Sequence, residues 1–370
     1  MEEIKRFFEC LLPVTACNLK CSYCYIIQRD NRNMKIPELK YSPERIGAGL
    51  SQERLGGICY LSICGEGETL IPEEIVHITY EILKQGHYVN LTTNGTITKR
   101  FDELMKLPIE YKERLHFAFS LHYLELKRTE KLNEFYSNVR KVKENGCSFL
   151  VQLNLCDEYE PYLDEISEIC KKEIGALPQL AATRKENNLS NDIELMTSHT
   201  AEEYLEIGKK FDSPLFDFTM KNFGKKQIGY CYAGDWSGQL NLATGKFSRC
   251  YASRIKQDIF ADISKPIDFC AIGSHCRSLF CMNSSHFLAL GMIPTQYKDI
   301  TYAGLRNRDE AHWYSDKMNH TLRIKLQHNN PEYDLKMKLK TELYAIAEAS
   351  LDIAYKMKWL LRKGNNDAKR

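Results

Sequence analysis

Apolar and polar positions follow two alternating rhythms through the first half of this chain. Short apolar runs with strand spacing are each followed by a longer segment with helical spacing. "FFECLLPVT" reads as a strand, and "SPERIGAGLSQERL" as a helix opened by Ser42 and Pro43. "GICYLSIC" is a strand, and "IPEEIVHITYEILKQG" a helix closed at Gly86. The pair repeats in "HYVNLTTN" with "TKRFDELMKL", and in "LHFAFSL" with "TEKLNEFYSNVRKVKENG". It repeats again in "SFLVQLNL" with "YLDEISEICKKEIG", and "ALPQLAAT" supplies a sixth strand. Strands alternating with helices of this length predict right-handed βαβ units and a parallel sheet. Periodicity leaves open whether that sheet is doubly wound or a partial barrel.

The unusual residues gather where the strands end. Cys17 follows the first strand, "CGEGETL" the second, "TTNGT" the third and "SLHYL" the fourth. "QLNL" ends the fifth, and "TRKENN" follows the sixth. In parallel barrels, chemistry collects at the C-terminal ends of the strands. Beyond residue 186 the rhythm is less regular, with one good helix, "TAEEYLEIGKKF". Residues 229–295 are rich in Cys and Gly, and residues 296–370 turn helical. There, Leu335, Leu339, Leu343, Ile346, Ile353, Met357 and Leu360 form one helical stripe, expected to pack on the chain's own domain.

A length of 370 residues suits about two domains, and a net charge of +2 argues against a nucleic-acid or membrane partner. No apolar run reaches the ~18 residues of a membrane span. The start "MEEIKRFFECLLPVTAC" is acidic first and too short in its apolar part for a signal peptide. The expected location is cytoplasmic, where thiols stay reduced and clustered cysteines point to metal or catalysis. Of 14 cysteines, Cys10, Cys59, Cys64, Cys147, Cys156 and Cys170 are scattered in mostly apolar segments, as small buried hydrophobes would be. The rest form two groups.

"CNLKCSYCY" places Cys17, Cys21 and Cys24 at C-x3-C-x2-C spacing. A structural zinc site takes four protein ligands, and a disulfide framework an even number. A four-iron cluster also normally takes four cysteinates. Three thiolates leave one iron open to a small chelating ligand, such as an amine with its carboxylate. No fourth zinc ligand appears near residue 24, and a zinc ribbon leaves the six βα units unexplained.

The segment resembles the cluster motif of the radical S-adenosylmethionine (SAM) enzymes, including an aromatic residue, Tyr23, before the third cysteine. The resemblance covers about residues 7–185 and implies a partial (β/α)6 TIM-like barrel of the α/β class. It implies a 4Fe–4S cluster whose open iron takes SAM, and a reductive cleavage that yields a 5′-deoxyadenosyl radical. "GEGET" resembles the family's Gly-Gly-Glu-Pro segment, so Gly65, Gly67 and Glu68 are implied SAM contacts, with Thr69 where proline is usual. Asn94 in "TTNG" is implied near the nucleoside, unless it only forms the turn with Gly95. Ser120 is implied near the ribose or carboxylate, with Gln152, Asn154 and Arg184 as further contacts. His122 reads as a structural residue on a strand edge rather than a substrate contact.

The second group begins with "CYAGDWSGQLNLATGKFSRC", a hairpin turning at "ATGK" between Cys231 and Cys250, and continues with Cys270, Cys276 and Cys281. This resembles the twitch domain, the shorter form of the SPASM domain. The resemblance implies one auxiliary 4Fe–4S cluster, because two would need more than these five cysteines. The expected ligands are Cys231, Cys250, Cys276 and Cys281, with Cys270 in apolar "PIDFCAIG" as a buried thiol. The same four thiolates also suit a zinc ribbon. Four ligands favour a closed cluster that relays electrons or staples the domain.

The expected organisation is a core barrel at 1–190, a helical connection at 191–228, a Cys-rich twitch-like domain at 229–295 and a helical C-terminal extension at 296–370. The expected function is hydrogen abstraction from an unidentified substrate, fed by a reductant such as flavodoxin or ferredoxin. No catalytic side chain is assigned beyond the cofactor ligands. Two substrate classes stay open: a sugar-like small molecule undergoing redox or epimerisation, and a peptide or protein undergoing maturation. Only 16 residues precede Cys17, which weighs against a leader-binding domain and slightly favours the first. The non-enzyme alternative is a metal-stapled binding protein.

Overall fold

The computed structural model describes residues 3–186, 193–251 and 253–367, with 356–367 as backbone alone. Six strands form its centre: β1 (Arg6–Leu12), β2 (Cys59–Gly65), β3 (Tyr88–Thr93), β4 (Leu115–Leu121), β5 (Ser148–Leu155) and β6 (Gln179–Ala182). Each lies parallel to the next, in sequence order. An order that never reverses, with right-handed crossovers, puts every connecting helix on one face. The other face becomes a lumen, which settles the sheet as a partial barrel. One expected helix is divided. Ser42 caps Pro43–Gly49 through the Arg45 N–H, and Ser51 caps Gln52–Leu55 through the Arg54 N–H, so two short helices replace a single long one.

The strands' period of two separates two environments. Leu91, Phe117, Val151 and Leu153 are fully buried, and Phe101 from the helix Thr98–Leu104 meets Phe117 with ring centroids 5.4 Å apart. Facing the lumen are Asn90 and Thr92, Ala118 and Ser120, and Gln152 and Asn154. The lumen floor is closed by the segment around the short helix Tyr302–Arg306. Tyr60 meets Tyr302 edge-on at 5.7 Å, and His116 meets Tyr314 at 4.8 Å.

Two-residue strands β7 (Arg184–Lys185) and β8 (Glu194–Leu195) pair with each other beyond β6. The expected hairpin is present as β9 (Ser237–Asn241) and β10 (Lys246–Ser248), followed by β11 (Lys256–Asp258). Strand β9 runs parallel to β1, with Phe7 opposite Ser237, so barrel and hairpin share one nine-stranded sheet. The Cys-rich stretch expected at 229–295 is therefore continuous with the barrel. It covers the edge of β1, which an open barrel would otherwise leave unpaired.

The C-terminal helix Leu335–Asp367 departs from expectation. Its apolar stripe faces away from the domain, with Leu335, Leu339, Leu343, Ile346 and Ile353 between 58% and 75% exposed. The side chains of Met357 and Leu360 lie outside the described residues. Docking uses other positions, where Thr341 and Glu348 are buried. The Glu348 carboxylate accepts from Arg249 Nη2 (2.9 Å), Arg254 N (2.7 Å), Ile255 N (3.3 Å) and the Ser253 hydroxyl. One acceptor thus satisfies a loop of orphan donors beside Cys250, a task the apolar stripe cannot perform. Among the described residues, no helix is long and apolar enough to cross a membrane.

Burial pushes the Glu348 carboxyl up, but the hydrogen bonds from Ser253, Arg249 and the two backbone N–H groups outweigh it and hold it below its usual value. Its contribution to stability is therefore present above the unfolded value of 4.5 and is lost as pH falls through the lower folded value. Glu348→Ala strands a nearly buried Arg249 and is expected to cost about 3–5 kcal/mol in urea denaturation at neutral pH. The stability difference between wild type and variant should shrink below pH 4.5.

Candidate functional site

After β1 the chain crosses the C-terminal rim of the barrel in a loop carrying Cys17, Cys21 and Cys24. Burial pushes the Cys21 thiol up, and Cys17 and Cys24 push it further, so the three sulfurs share one neighbourhood. Burial also raises Cys17, with Glu68 and Cys24 adding to it. A metal centre here would have to displace these protons. Arg32 Nη2 shapes the loop by donating to the carbonyls of Cys17 and Leu19, both at 2.9 Å. Lys20 N donates to Glu125 Oε1 at 2.6 Å. The Tyr23 hydroxyl meets His122 Nδ1 at 2.7 Å and the Tyr159 hydroxyl at 3.0 Å. Desolvation brings the His122 ring down to about 4, so a neutral imidazole buttresses the cysteine loop at pH 7.

The "GEGET" loop lies against the main chain of that cysteine loop. Gly67 N donates to Val14 O at 2.6 Å, and Glu68 N to Ala16 O at 2.9 Å. A Cβ on Gly67 would stand 2.3 Å from Ala16 O, so only glycine permits this approach. Thr69 closes the turn through its hydroxyl, which accepts from Gly65 N at 2.8 Å. It does by hydrogen bonding what a proline would do by ring constraint.

Glu68 has a task that differs from the expected side-chain contact with SAM. It is 2% exposed. Its carboxylate accepts from Leu70 N (2.9 Å), the Thr93 hydroxyl (2.7 Å) and Asn94 N (2.7 Å). It clamps the rim loop to the end of β3. Asn94 both forms the turn and reaches the cysteines. Its Oδ1 accepts from Thr96 N (3.1 Å), while its Nδ2 donates to Asn18 Oδ1 (2.8 Å) and lies 3.9 Å from Cys17 Sγ. Asn18 carried no signal in the sequence, because its partners Asn94 and Thr96 lie in the loop after β3, 76 and 78 residues away.

Ser120, Gln152, Asn154 and Arg184 come together in the wall of a lumen cavity of about 320 Å³. Gly65, Gly67, Glu68 and Asn94 stand apart from that wall, at the rim with the three cysteines. A second cavity, of about 570 Å³, is lined by Cys231, Cys250, Cys276 and Cys281. Burial raises the Cys281 thiol first, followed by Cys231, Cys250 and Cys276. Cys270 is elsewhere, its Sγ 3.8 Å from the Thr341 hydroxyl beneath the C-terminal helix. Cys281 lines both cavities.

A buried polar group between the two cavities escaped sequence reading. Glu9 accepts from His286 Nδ1 (3.0 Å), Gln239 Nε2 (3.4 Å) and Asn283 Nδ2. The pairing of β1 with β9 brings Gln239 to Glu9, and the segment around the short helix Ser284–Phe287 brings Asn283 and His286. Among the described residues, the one group of three metal-type ligands within 4.8 Å of one another is Asp157, Glu160 and His199. Neither cysteine set is that tight.

Residues 11–166 match the family model of the Radical SAM superfamily. A curated relative, "Probable GTP 3',8-cyclase" from Methanococcus vannielii, is 30% identical over 189 residues, covering 48% of this chain and 58% of the relative. The crystal structure of Streptococcus suis SuiB bound to S-adenosylmethionine is similar in fold, with a TM-score of 0.50 at 14% identity. That match covers 70% of this chain and 64% of SuiB. The chain thus spans less than two thirds of either relative.

Glu68→Ala leaves three donors without their acceptor. It is expected to destabilise the metal-free protein by about 3 kcal/mol or more, read by chemical denaturation. A residue that only contacted the cofactor would leave that stability unchanged.

Proposed function

We propose that this chain, whose residues 11–166 match the Radical SAM superfamily model, is an enzyme that carries two four-iron clusters and abstracts hydrogen from a small polar substrate held in the barrel lumen. The observation that carries this reading is the rim site, where three thiols gather beside an open, polar lumen. Cys17, Cys21 and Cys24 would hold the first cluster. When bound, that cluster with SAM supplies the radical that starts the reaction. Asn18, Asn94 and Arg32 hold the cysteine loop in place. The Gly65–Glu68 main chain forms the adjoining rim, with Glu68 acting as a positioning residue. Ser120, Asn154 and Arg184 line the wall below, where the ribose and carboxylate of SAM would be met.

At the first set, three thiols with no fourth protein ligand near residue 24 suit a cluster with an open iron over a closed zinc site. Cys231, Cys250, Cys276 and Cys281 would hold the auxiliary cluster, in the unit proposed at 229–295. Because Cys281 also lines the lumen, electron relay is favoured over a purely structural staple. A cavity of about 320 Å³ whose mixed wall carries amides, hydroxyls and two arginines favours a sugar-like small molecule over a peptide. An external reductant such as flavodoxin or ferredoxin would supply the electron.

Reconstituted anaerobically, the protein is expected to hold about eight irons per chain and to form 5′-deoxyadenosine from SAM and dithionite. Joint replacement of Cys17, Cys21 and Cys24 by alanine should abolish the product, and normal product would sink the radical assignment. Cys276→Ala is expected to lose about four irons per chain, whereas Cys270→Ala keeps all eight. The reverse result in iron analysis would make Cys270 the ligand.

A further inference from the structure

The lumen cavity holds positive charge. Among the described residues, its wall includes Arg184 and Arg306 and no Asp or Glu. Arg306 is 2% exposed, and no carboxylate pairs with it among the described residues. Its Nη1 donates to the carbonyls of Ser285 (3.2 Å) and Tyr302 (3.4 Å), and its Nη2 to the Ser285 hydroxyl (3.4 Å). The guanidinium carbon lies 3.8 Å from the centre of the Tyr302 ring.

Other buried arginines show what a purely structural role looks like. Arg249 pairs with Glu348, Arg6 with Asp235, and Arg100 with Glu73 and Glu103. Arg308 lacks a carboxylate but donates to four carbonyls, two of them at 2.8 Å. Arg306 has neither arrangement, and a buried cation without a counter-ion is costly.

A second observation points into the same cavity. Asn90 is 3% exposed and donates from Nδ2 to the Ser62 hydroxyl at 2.9 Å, while its Oδ1 has no partner. Turning the amide over exchanges the two atoms and still leaves one polar atom unpaired. Buried polar groups are nearly always satisfied, so an unpaired amide atom beside an arginine without a counter-ion points to a polar group held in the cavity. Glu9, close behind the wall, is taken by His286, Asn283 and Gln239.

We propose that the lumen floor is an oxyanion site, in which Arg306 receives a carboxylate or phosphate group of the substrate and Asn90, Ser62 and Gln152 hydrogen-bond its hydroxylated body. The proposal rests on the reading that the lumen holds the substrate. Arg184, in the wall just below the rim, is assigned to SAM, which leaves Arg306 for the second molecule. A guanidinium offers paired N–H donors that match the two oxygens of such a group.

The test is equilibrium dialysis of the SAM-loaded holoenzyme, at fixed ionic strength, against labelled inorganic phosphate, acetate and glucose. Saturable binding of phosphate or acetate is expected, with glucose about tenfold weaker or more, and the tighter anion names the group. Arg306→Gln should weaken that anion about tenfold or more, and Arg306→Lys should restore part of the loss. Asn90→Asp, which sets a like charge beside the anion, should weaken it as well. Iron content and far-ultraviolet circular dichroism report whether each variant is folded, and Asn90→Asp decides the matter if Arg306→Gln is not. Glucose binding as well as the anions, unchanged affinity in folded variants, or no saturable anion binding would each overturn the proposal. Formation of 5′-deoxyadenosine by the wild type is scored separately. If it forms while anions do not bind, only the floor assignment falls. If anions bind and it does not form, the radical reading falls alone.

Discussion

At the rim of the barrel two stretches of main chain lie closer together than any side chain would allow. The site depends on that contact. Gly67 sits against Ala16 because it has no Cβ, and the "GEGET" loop then donates two backbone hydrogen bonds to the loop that carries the cysteines. Glu68 fastens the same loop to Thr93 and Asn94. Three strand ends thus become one rigid piece. A cofactor needs several groups held at once, and strand ends in a parallel sheet supply them from distant parts of the chain.

Beneath the rim, the barrel reverses the usual placement of polarity. Amides and hydroxyls such as Asn90, Ser120, Gln152 and Asn154 line the lumen beside His116 and Tyr302, while Phe101 and Phe117 pack outward under the helices. Polar groups fixed along a cavity wall add little to a core, because their hydrogen-bonding capacity faces the cavity and not the packing. Such an interior makes sense when a ligand completes it. Arg306 marks where the deficit is greatest, and it stands on a segment that closes the floor from beyond the second cysteine group.

That second group is joined to the first by covalent chain and by sheet. Strand β9 adds to β1, and the loop after the hairpin is gripped by Glu348 of the long helix. Distant chain segments therefore surround the second set of thiols. Its position against the lumen wall, through Cys281, brings it to the edge of the lumen cavity.

The sequence by itself determined the rhythm of strands and helices, the C-x3-C-x2-C loop after the first strand, and the rim on which polar residues collect. These are local signals: periodicity, spacing and turn chemistry are written over a few residues and survive in the fold. The choice between a doubly wound sheet and a barrel was not local, because it depends on strand order. Burial sorted the five later cysteines into four that gather and one, Cys270, beneath Thr341. Tertiary contact also turned Glu68 inward and left the stripe of Leu339, Leu343 and Ile346 facing outward. The C-terminal helix shows the reason most plainly. An apolar stripe predicts that something covers it, but a buried carboxylate with four donors decided which positions the domain received. Those donors lie 93 to 99 residues from Glu348 and meet it only when the chain has folded.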